Sequence, residues 1–162
     1  MPLKIIKGDI TTLKVDAIVN AANKELAGGG GVDGAIHLKA GPLLDEACKS
    51  LAPCETGDAK LTSGFNLPSK YIIHTVGPIY IDGFHNEESL LKKCYISSLN
   101  IAKSNNFKSI AFPLISSGVY GYPKKEAFII AKDTILDFLK TYPNLEVYIV
   151  LFDQTDFIVL DF

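Results

Sequence analysis

The sequence has few cysteines and no pattern that would use them chemically. Cys48, Cys54 and Cys94 are an odd number, and no two of them form a C-x-x-C pair. A disulfide framework is therefore not expected, and the N-terminus lacks the basic stretch and apolar run of a secretory signal. These absences predict a chain that resides in a reducing, cytoplasmic compartment.

An excess of positive charge is also absent. The 162 residues carry 16 Lys and Arg against 18 Asp and Glu, and the net charge is -2. No global positive field would attract a polyanion, so neither nucleic acid nor a membrane surface is an expected partner. A small anion held by local backbone N–H groups remains compatible with this composition.

What is present is the composition of a folded protein, with 48% hydrophobic and 21% charged residues. A chain of this length buries roughly 70% of its extended surface, which is enough for one core without disulfide support. No repeat or low-complexity segment divides the chain, so we predict a single domain over residues 1–162.

Apolar, β-branched runs alternate with stretches of helical periodicity. Six runs predict strands at Leu3–Ile6, Ala17–Asn20, Lys60–Gly64, Tyr71–Val76, Ser109–Pro113 and Val147–Leu151. Helices are predicted at Ala35–Leu38, Glu87–Lys103 and Lys124–Thr141, with Asn86 as the N-cap of the second. The alternation favours an α/β fold with a mixed or largely parallel sheet, while Asp153–Phe162 fits either a short helix or a last strand.

A run of glycines is the first unusual feature. Gly28–Gly31 follows the strand and loop of residues 15–23 and precedes a helix start through Val32, Asp33 and Gly34. Glycines at the N-terminus of a helix allow backbone N–H groups to approach an anion closely, and a diphosphate fits that description. A mobile surface loop is the alternative. Gly29, Gly31 and Gly34 also satisfy G-x-G-x-x-G, but Asn23–Ala27 separate them from the strand, which weakens a dinucleotide fingerprint.

A second loop rich in serine and glycine, Pro113–Pro123, lies between a buried strand and a helix. Such a loop offers backbone donors at the carboxyl end of a sheet, where open α/β folds place ligands. A simple turn would explain its glycines equally well. The pairing with the first glycine loop favours two loops that hold one diphosphate from both sides.

Polar residues also occur where a core pattern does not require them. They are Asp9 after the first strand, Asn20 and Asn23 around the end of the second, and Asp33 with His37 one helical turn later. Asparagine can both donate to and accept from ribose hydroxyls, and a carboxylate can position a water. Each residue taken alone is equally compatible with a loop cap, a helix cap or an amphipathic helix face.

Five segments taken together resemble the MacroD-type branch of the macrodomain family: Gly8–Thr11, Val15–Asn23, Gly28–His37, Gly57–Pro78 and Pro113–Pro123. They cover nearly the whole chain in the family's order. The resemblance implies a three-layer α/β/α sandwich with a central mixed sheet and a cleft for ADP-ribose. It also implies a hydrolase that removes mono-ADP-ribose from acidic protein side chains or deacetylates O-acetyl-ADP-ribose, in both cases by cleaving an ester on the distal ribose.

The resemblance further implies a role for each matching residue. Asn20, Asn23 and Asp33 would be catalytic: the asparagines orient the ribose, and Asp33 is linked to the attacking water. The adenine would meet Asp9, Ile10 and a stacking Phe152, and His37, one helical turn after Asp33, would also bind the ligand. Backbone donors for the diphosphate would come from Gly29, Gly30, Gly31, Val32 and Gly34 and from Ser116, Ser117, Gly118, Val119 and Tyr120.

No cofactor is implied, and no metal-ligand pattern is recognisable. His37, His74 and His85 lack ligand spacing and the cysteines are scattered, so we expect metal-independent hydrolysis. Two alternatives differ in class. One is a reader module that binds ADP-ribose without turnover, which Asp33 and both asparagines argue against; the other is an RNA or poly(A) binder, which the net charge argues against.

Overall fold

A computed structural model describes residues 3–153 and residue 156. Its strands are β1 (Leu3–Lys7), β2 (Ala17–Ala21), β3 (Ala59–Ser63), β4 (Tyr71–Thr75), β5 (Ser109–Phe112) and β6 (Glu146–Leu151). Its α-helices are α1 (Gly31–Ala40), α2 (Pro42–Leu51), α3 (Glu87–Ser104) and α4 (Lys124–Thr141), and a short 3-10 helix covers Ile10–Thr12. All six predicted strands are confirmed to within two residues at either end.

The strands form one mixed sheet in the order β1-β6-β5-β2-β4-β3. Every neighbouring pair is parallel except β3 with β4, which is antiparallel at the edge. The carboxyl ends of the five parallel strands therefore meet at one edge of the sheet, which is where α/β folds bind ligands.

Helices cover both faces of the sheet. On β2, Ala17 and Val19 belong to the core beneath α3 and α4, whereas Ile18 belongs to the core beneath α1 and α2. This alternation follows from the two-residue period of a strand that is buried on both faces. The predicted three-layer α/β/α sandwich with a mixed sheet is confirmed.

Two helical predictions need correction. Helix α1 begins at Gly31 and ends at Ala40, so it is longer than the predicted Ala35–Leu38, and the whole of α2 was missed. The missed signal was Pro42 at the first position of α2, directly after Gly41, which has φ 93 and ends α1. Proline is favoured at the first helical position because its absent N–H is not needed there.

The residue predicted as the N-cap of α3 is at the cap position but does not cap the helix with its side chain. Asn86 occupies the cap position, but it has φ 62 and its side chain makes no capping hydrogen bond. The adjacent Glu87 carboxylate instead accepts N–H groups from the preceding loop, at Ile81, Asp82, Gly83 and His85.

The C-terminal segment Asp153–Phe162, predicted as a helix or strand, lies outside the described residues apart from Asp153 and Asp156. Within the part of the chain that the structure covers, no helix has the length and apolarity required to cross a bilayer.

Candidate functional site

A cavity of about 640 Å³ lies at the carboxyl edge of the parallel strands. The residues that directly follow β1, β5 and β6 line it, and so does the end of β2, because parallel strands all terminate on the same side. Its lining includes residues that were predicted from the sequence, most of them in the two glycine-containing loops, and residues that were not predicted. The predicted residues are Asp9, Ile10, Asn23, Gly29, Gly30, Gly31, Val32, Asp33, Ser116, Ser117, Gly118, Val119, Tyr120 and Phe152, and the others include Gly8, Thr11, Gly77 and Leu114.

The first glycine loop brings the N-terminus of α1 to the cavity. Gly30 is the N-cap residue, and Gly29, Gly31 and Val32 line the cavity beside it. The first backbone N–H groups of a helix have no partner within the helix, and the helix dipole adds positive potential there. This arrangement is suited to binding an anion.

Gly34 has a packing role that differs from direct contact with a ligand. It does not line the cavity, and a Cβ added to it would lie 2.3 Å from the carbonyl oxygen of Gly29. Only glycine at this position allows α1 to begin so close to its own entry loop. By contrast, an added Cβ at Gly30 would have nothing within 4 Å.

The second loop forms the opposite wall. Ser116 has φ 66, and its hydroxyl donates to the carbonyl of Pro78 at 2.8 Å. A Cβ at Gly77 would lie 2.1 Å from the Ser116 Oγ atom, so glycine there permits the two segments to touch. Within the described residues, the backbone N–H groups of residues 118–120 donate to no protein acceptor. They are therefore available to a second anion contact.

Asp33 is the buried carboxylate of the site. Its Oδ1 atom accepts a hydrogen bond from Asn20 Nδ2 at 2.8 Å and lies 3.4 Å from His37 Nε2. Burial raises the pKa of Asp33 above its ordinary value, although the Asn20 hydrogen bond and the nearby His37 oppose that shift. A carboxylate with a raised pKa is better suited to accept a proton near neutral pH.

Asn23 and Asp33 both lie next to Gly29. A Cβ added at Gly29 would be 3.5 Å from Asp33 Oδ2 and 3.9 Å from Asn23 Nδ2. The Asn23 side chain also holds its own loop, since it donates to the Gly28 carbonyl at 2.9 Å and accepts from the Ala27 N–H at 3.1 Å. The two residues thus line the same part of the cavity, at the glycine loop.

Asn20 lies behind the cavity and does not line it. It belongs to the same face of the sheet as Ile18, the face covered by α1, and it is fully buried. Because its amide donates to Asp33, Asn20 acts on the carboxylate and is too deeply buried to reach a ligand in this geometry.

His74 is a member of this polar group that the sequence reasoning missed. Parallel register pairs it with Asn20, and Asn20 Nδ2 lies 3.1 Å from His74 Nδ1. The Nδ1 atom must therefore accept, so Nε2 carries the proton and donates to Thr62 Oγ1 at 2.9 Å. Burial lowers the pKa of His74 to about 3, so the ring is neutral at physiological pH. The available signal was a histidine within an otherwise apolar buried strand.

His37, also predicted to bind the ligand, is directed away from the cavity lining. Its Nδ1 atom is 2.7 Å from a carboxylate oxygen of Asp45 on α2, and its Nε2 atom faces Asp33. The prediction missed Asp45 because α2 itself was missed. His37 therefore lies between two carboxylates, and its Nε2 atom is close to the same Asp33 oxygen that accepts from Asn20.

The other end of the cavity is less polar. Ile10 is buried there, and Phe152 follows β6 with 73% of its surface exposed. Asp9 Oδ1 accepts from the backbone and hydroxyl of Thr11 at 3.0 and 2.7 Å, and the hydroxyl hydrogen bond lowers the pKa of Asp9. An exposed aromatic ring beside a buried aliphatic residue is suited to stacking on a flat base.

One cluster has donor atoms of the type that bind metals, contrary to the expectation that no ligand set would appear. Asp82, His85 and Glu87 each offer an atom, all within 4.8 Å of one another. However, both Glu87 oxygens accept backbone N–H groups, and Asp82 Oδ1 accepts from Phe84 N–H and contacts His85 Nδ1. These oxygens already stabilise the loop, so the cluster does not indicate a cation site.

The buried His74 leads to a stability prediction. His74→Leu should lower the free energy of unfolding by about 1–3 kcal/mol at neutral pH, because Asn20 Nδ2 loses one of its two acceptors and Thr62 Oγ1 loses the donor that it accepts from. In the parent, only the unfolded chain binds a proton at position 74 between its usual pKa of 6.5 and the folded value of about 3. As the pH is lowered through that interval, the free energy of unfolding of the parent should therefore decrease by up to about 1.4 kcal/mol per pH unit.

Urea unfolding of parent and His74→Leu from pH 8 to pH 4 measures this effect. The stability difference between the two should be constant above pH 6.5 and should narrow below it. Thr62→Val is the matched control, since it removes a partner of His74 but keeps the titrating ring. A difference that stays constant across the whole range would show that His74 is not buried in the neutral form.

Comparison with known proteins gives a consistent result. The model of the family described as Macro domain matches residues 19–131. An O-acetyl-ADP-ribose deacetylase of Escherichia fergusonii is 51% identical over 157 residues, which is 94% of this chain and 89% of that protein. The human ADP-ribose glycohydrolase MACROD2 is 55% identical over 140 residues, covering 85% of this chain but 32% of its own length.

A solved structure agrees in three dimensions. A mutant of the Oceanobacillus iheyensis macrodomain with ADPR superposes with a TM-score of 0.93 and 47% identity, covering 98% of this chain and 89% of that one. A second mutant of the same protein gives the same TM-score and identity and is covered to 88%. The sequence matches and the structural match therefore indicate the same family.

Proposed function

Because this chain belongs to the Macro domain family, we propose that it binds ADP-ribose and hydrolyses an ester on the distal ribose. Its substrates would be mono-ADP-ribose attached to acidic protein side chains, O-acetyl-ADP-ribose, or both. The net reaction adds one water across the ester. The products are a carboxylate, a released proton and a ribose that regains its hydroxyl.

The observation that carries this proposal is the placement of both Asp33 and Asn23 next to Gly29, where they line the cavity at the N-terminus of a helix. A carboxylate and an amide at one anion-binding terminus can hold a water and a ribose hydroxyl in fixed relation. Fixed geometry between water and ester is the main requirement for hydrolysis.

In this proposal each end of the cavity binds one part of ADP-ribose. The adenine lies at Asp9, Ile10 and Phe152, the non-polar end. The diphosphate lies between the N-terminus of α1 and the backbone N–H groups of residues 118–120, which are the two groups of available donors. That order places the distal ribose at Asn23 and Asp33.

Asp33 would hold the attacking water and take its proton, alone or together with a phosphate oxygen of the substrate. Its raised pKa supports a share in proton transfer. Asn20 and His37 act as positioning residues, because each contacts Asp33 and neither lines the cavity. We propose that no metal takes part and that the protein works in the cytoplasm, where its three buried free cysteines would remain reduced.

Two measurements on the parent protein test the proposal. Millimolar ADP-ribose should raise the melting temperature, since a ligand that binds only the folded state adds about 2.7 kcal/mol at a hundredfold excess over Kd. The protein should also release ADP-ribose from a glutamate-linked mono-ADP-ribosylated protein or acetate from O-acetyl-ADP-ribose, with or without a chelator. An unchanged melting curve would contradict the cavity assignment.

A reader module is the second candidate, and one observation favours it. Both ends of the Asn23 side chain already bond to its own loop, so this residue could serve to shape the loop only. If ADP-ribose raises the melting temperature but the protein turns over neither substrate, the reader function would be established.

Phe152 provides a local test of the adenine position. Phe152→Ala should weaken ADP-ribose binding by about 1–3 kcal/mol, the range for a base stacked on an aromatic side chain. The parental melting temperature should be kept, because the ring is largely exposed and contributes little to the core. Calorimetry with ADP-ribose measures the loss, and unchanged affinity would place the adenine elsewhere.

A further inference from the structure

A second cavity of about 390 Å³ adjoins the first, and we call it the side groove. It lies between residues 23–25, residues 76–81 and the start of α3. Asn23, Gly77 and Tyr120 line both cavities, so the side groove adjoins the first cavity at the end where the distal ribose would lie. A group attached to that ribose on the far side from the diphosphate would lie next to the side groove.

The side groove is larger than an acetyl group requires. Three heavy atoms would fill roughly 60–90 Å³, at about 30 Å³ for each water-sized group. Its lining combines the apolar residues Val76, Pro78, Ile79, Ile81 and Leu90 with polar ones that include Lys24, Glu25 and His85. A site built only for acetate release would need neither this volume nor this surface.

Two of these apolar residues are unusually exposed. Ile79 and Ile81 have 61% and 64% of their surface accessible, and the neighbouring Phe84 is even more exposed. Clustered exposed apolar side chains beside a groove are typical of a surface that another protein covers.

The segment that carries these side chains is nevertheless held in place. The buried Glu87 carboxylate accepts N–H groups from Ile81, Asp82 and Gly83 on one oxygen and from His85 on the other. Burial alone would raise the pKa of Glu87, but these four donors outweigh it and lower the pKa to about 2. Glu87 therefore remains ionised near neutral pH, and its carboxylate holds the loop through these four hydrogen bonds.

The same segment is joined to the wall of the ADP-ribose cavity. Tyr80 N–H donates to the Tyr120 carbonyl at 2.9 Å, and the Ser116 hydroxyl donates to the Pro78 carbonyl at 2.8 Å. The exposed isoleucines are thus fixed relative to the proposed ester site. A surface that is already ordered loses little entropy when it binds a partner.

From this adjacency, volume and ordered surface with exposed apolar side chains, we propose that the side groove binds the polypeptide segment that flanks the ADP-ribosylated acidic residue. The inference rests on the proposed function and narrows it: ADP-ribosylated proteins, and not O-acetyl-ADP-ribose, are the substrates for which the site is built. The modified carboxyl group would pass Asn23 and Tyr120, and apolar residues next to it would contact Ile79 and Ile81.

The test compares two substrates on one variant. Ile79→Ser combined with Ile81→Ser should lower kcat/KM for a glutamate-linked mono-ADP-ribosylated protein by about tenfold, as for loss of an apolar interface anchor. The value for O-acetyl-ADP-ribose and the Kd for ADP-ribose should stay within about twofold of the parent, since neither ligand fills the groove. Both isoleucines are exposed, so the variant should melt as the parent does.

Ile129→Ser is the matched control, because Ile129 is an isoleucine of α4 with 55% exposure that lines neither cavity. It should leave both substrates unaffected. Equal losses on the two substrates, or no loss on either, would overturn the side-groove assignment while leaving the proposed hydrolase intact. A parent that hydrolyses neither substrate would overturn the proposed function and this inference together.

Discussion

Replacing Asp33 with alanine should lower turnover of either ester by about 10²–10⁴, the range for a positioned acid–base group. Affinity for ADP-ribose should change far less, because the diphosphate and adenine are bound by other residues. The physical reason is geometric: Asp33 is the buried carboxylate beside Gly29, and no neighbouring carboxylate lines the same end of the cavity among the residues described. Steady-state kinetics and calorimetry on the same preparation separate the two effects.

Asp133→Ala is the matched control, since Asp133 is an exposed aspartate on α4. It should retain parental turnover.

Asn23→Ala should also reduce turnover, although part of that loss would come from the hydrogen bonds that the Asn23 side chain makes to Ala27 and Gly28. The fold-loss of turnover in the double variant should be well below the product of the two single fold-losses, because the two residues act on one reaction centre. Parental turnover in both single variants would show that the catalytic assignment is wrong.

The pH profile gives an independent test of Asp33. Its carboxylate must be ionised to accept a proton, so turnover should decline on the acid side around a pKa above the ordinary value of 3.8. Asn20→Leu removes a hydrogen bond that favours the ionised form, and the acid limb should therefore move to higher pH. A purely structural role for Asn20 would lower activity equally at every pH.

Gly30→Glu should abolish most ADP-ribose binding and leave the fold intact. Gly30 has φ -93, which any residue adopts, and an added Cβ would meet nothing within 4 Å. The new carboxylate would lie at the N-terminus of α1, where the diphosphate is proposed to bind. Repulsion between the two anions should weaken binding on the order of a hundredfold.

Two other substitutions make this result interpretable. Gly30→Ala adds the Cβ without charge, so it should bind ADP-ribose much more tightly than Gly30→Glu. Gly34→Ala should instead lower the melting temperature, because its Cβ would lie 2.3 Å from the Gly29 carbonyl oxygen. Parental ADP-ribose affinity in Gly30→Glu, measured by calorimetry, would indicate that the glycine loop does not hold the diphosphate.

Local patterns were sufficient to predict most of the fold. Every strand was recognised. For the inner strands β2, β4 and β5 the reason is that a strand buried on both faces is written as a short apolar run. The two long helices were recognised because their apolar residues repeat at helical spacing over eighteen residues each. Helix α2 escaped notice because it begins directly after α1, with a single glycine between them.

The two glycine loops also followed from the sequence, since glycine runs next to strand ends carry a local meaning. Further residues of the cavity lining, such as Ile10 and Phe152, followed from the resemblance to the macrodomain family. The polar group behind Asp33 did not. Asn20 contacts Asp33 at a separation of 13 residues and His74 at a separation of 54. His37 reaches Asp45, which lies on the next helix.

These contacts depend on which strands are neighbours and in which register they pair. The order β5-β2-β4 places Asn20 opposite His74, and the packing of α1 on that face brings Asp33 onto Asn20. A residue's type and spacing restrict the element on which it lies, but not the partner that long-range packing provides. The side groove has the same origin, because it forms only where residues 76–81, the second loop and the start of α3 meet in space.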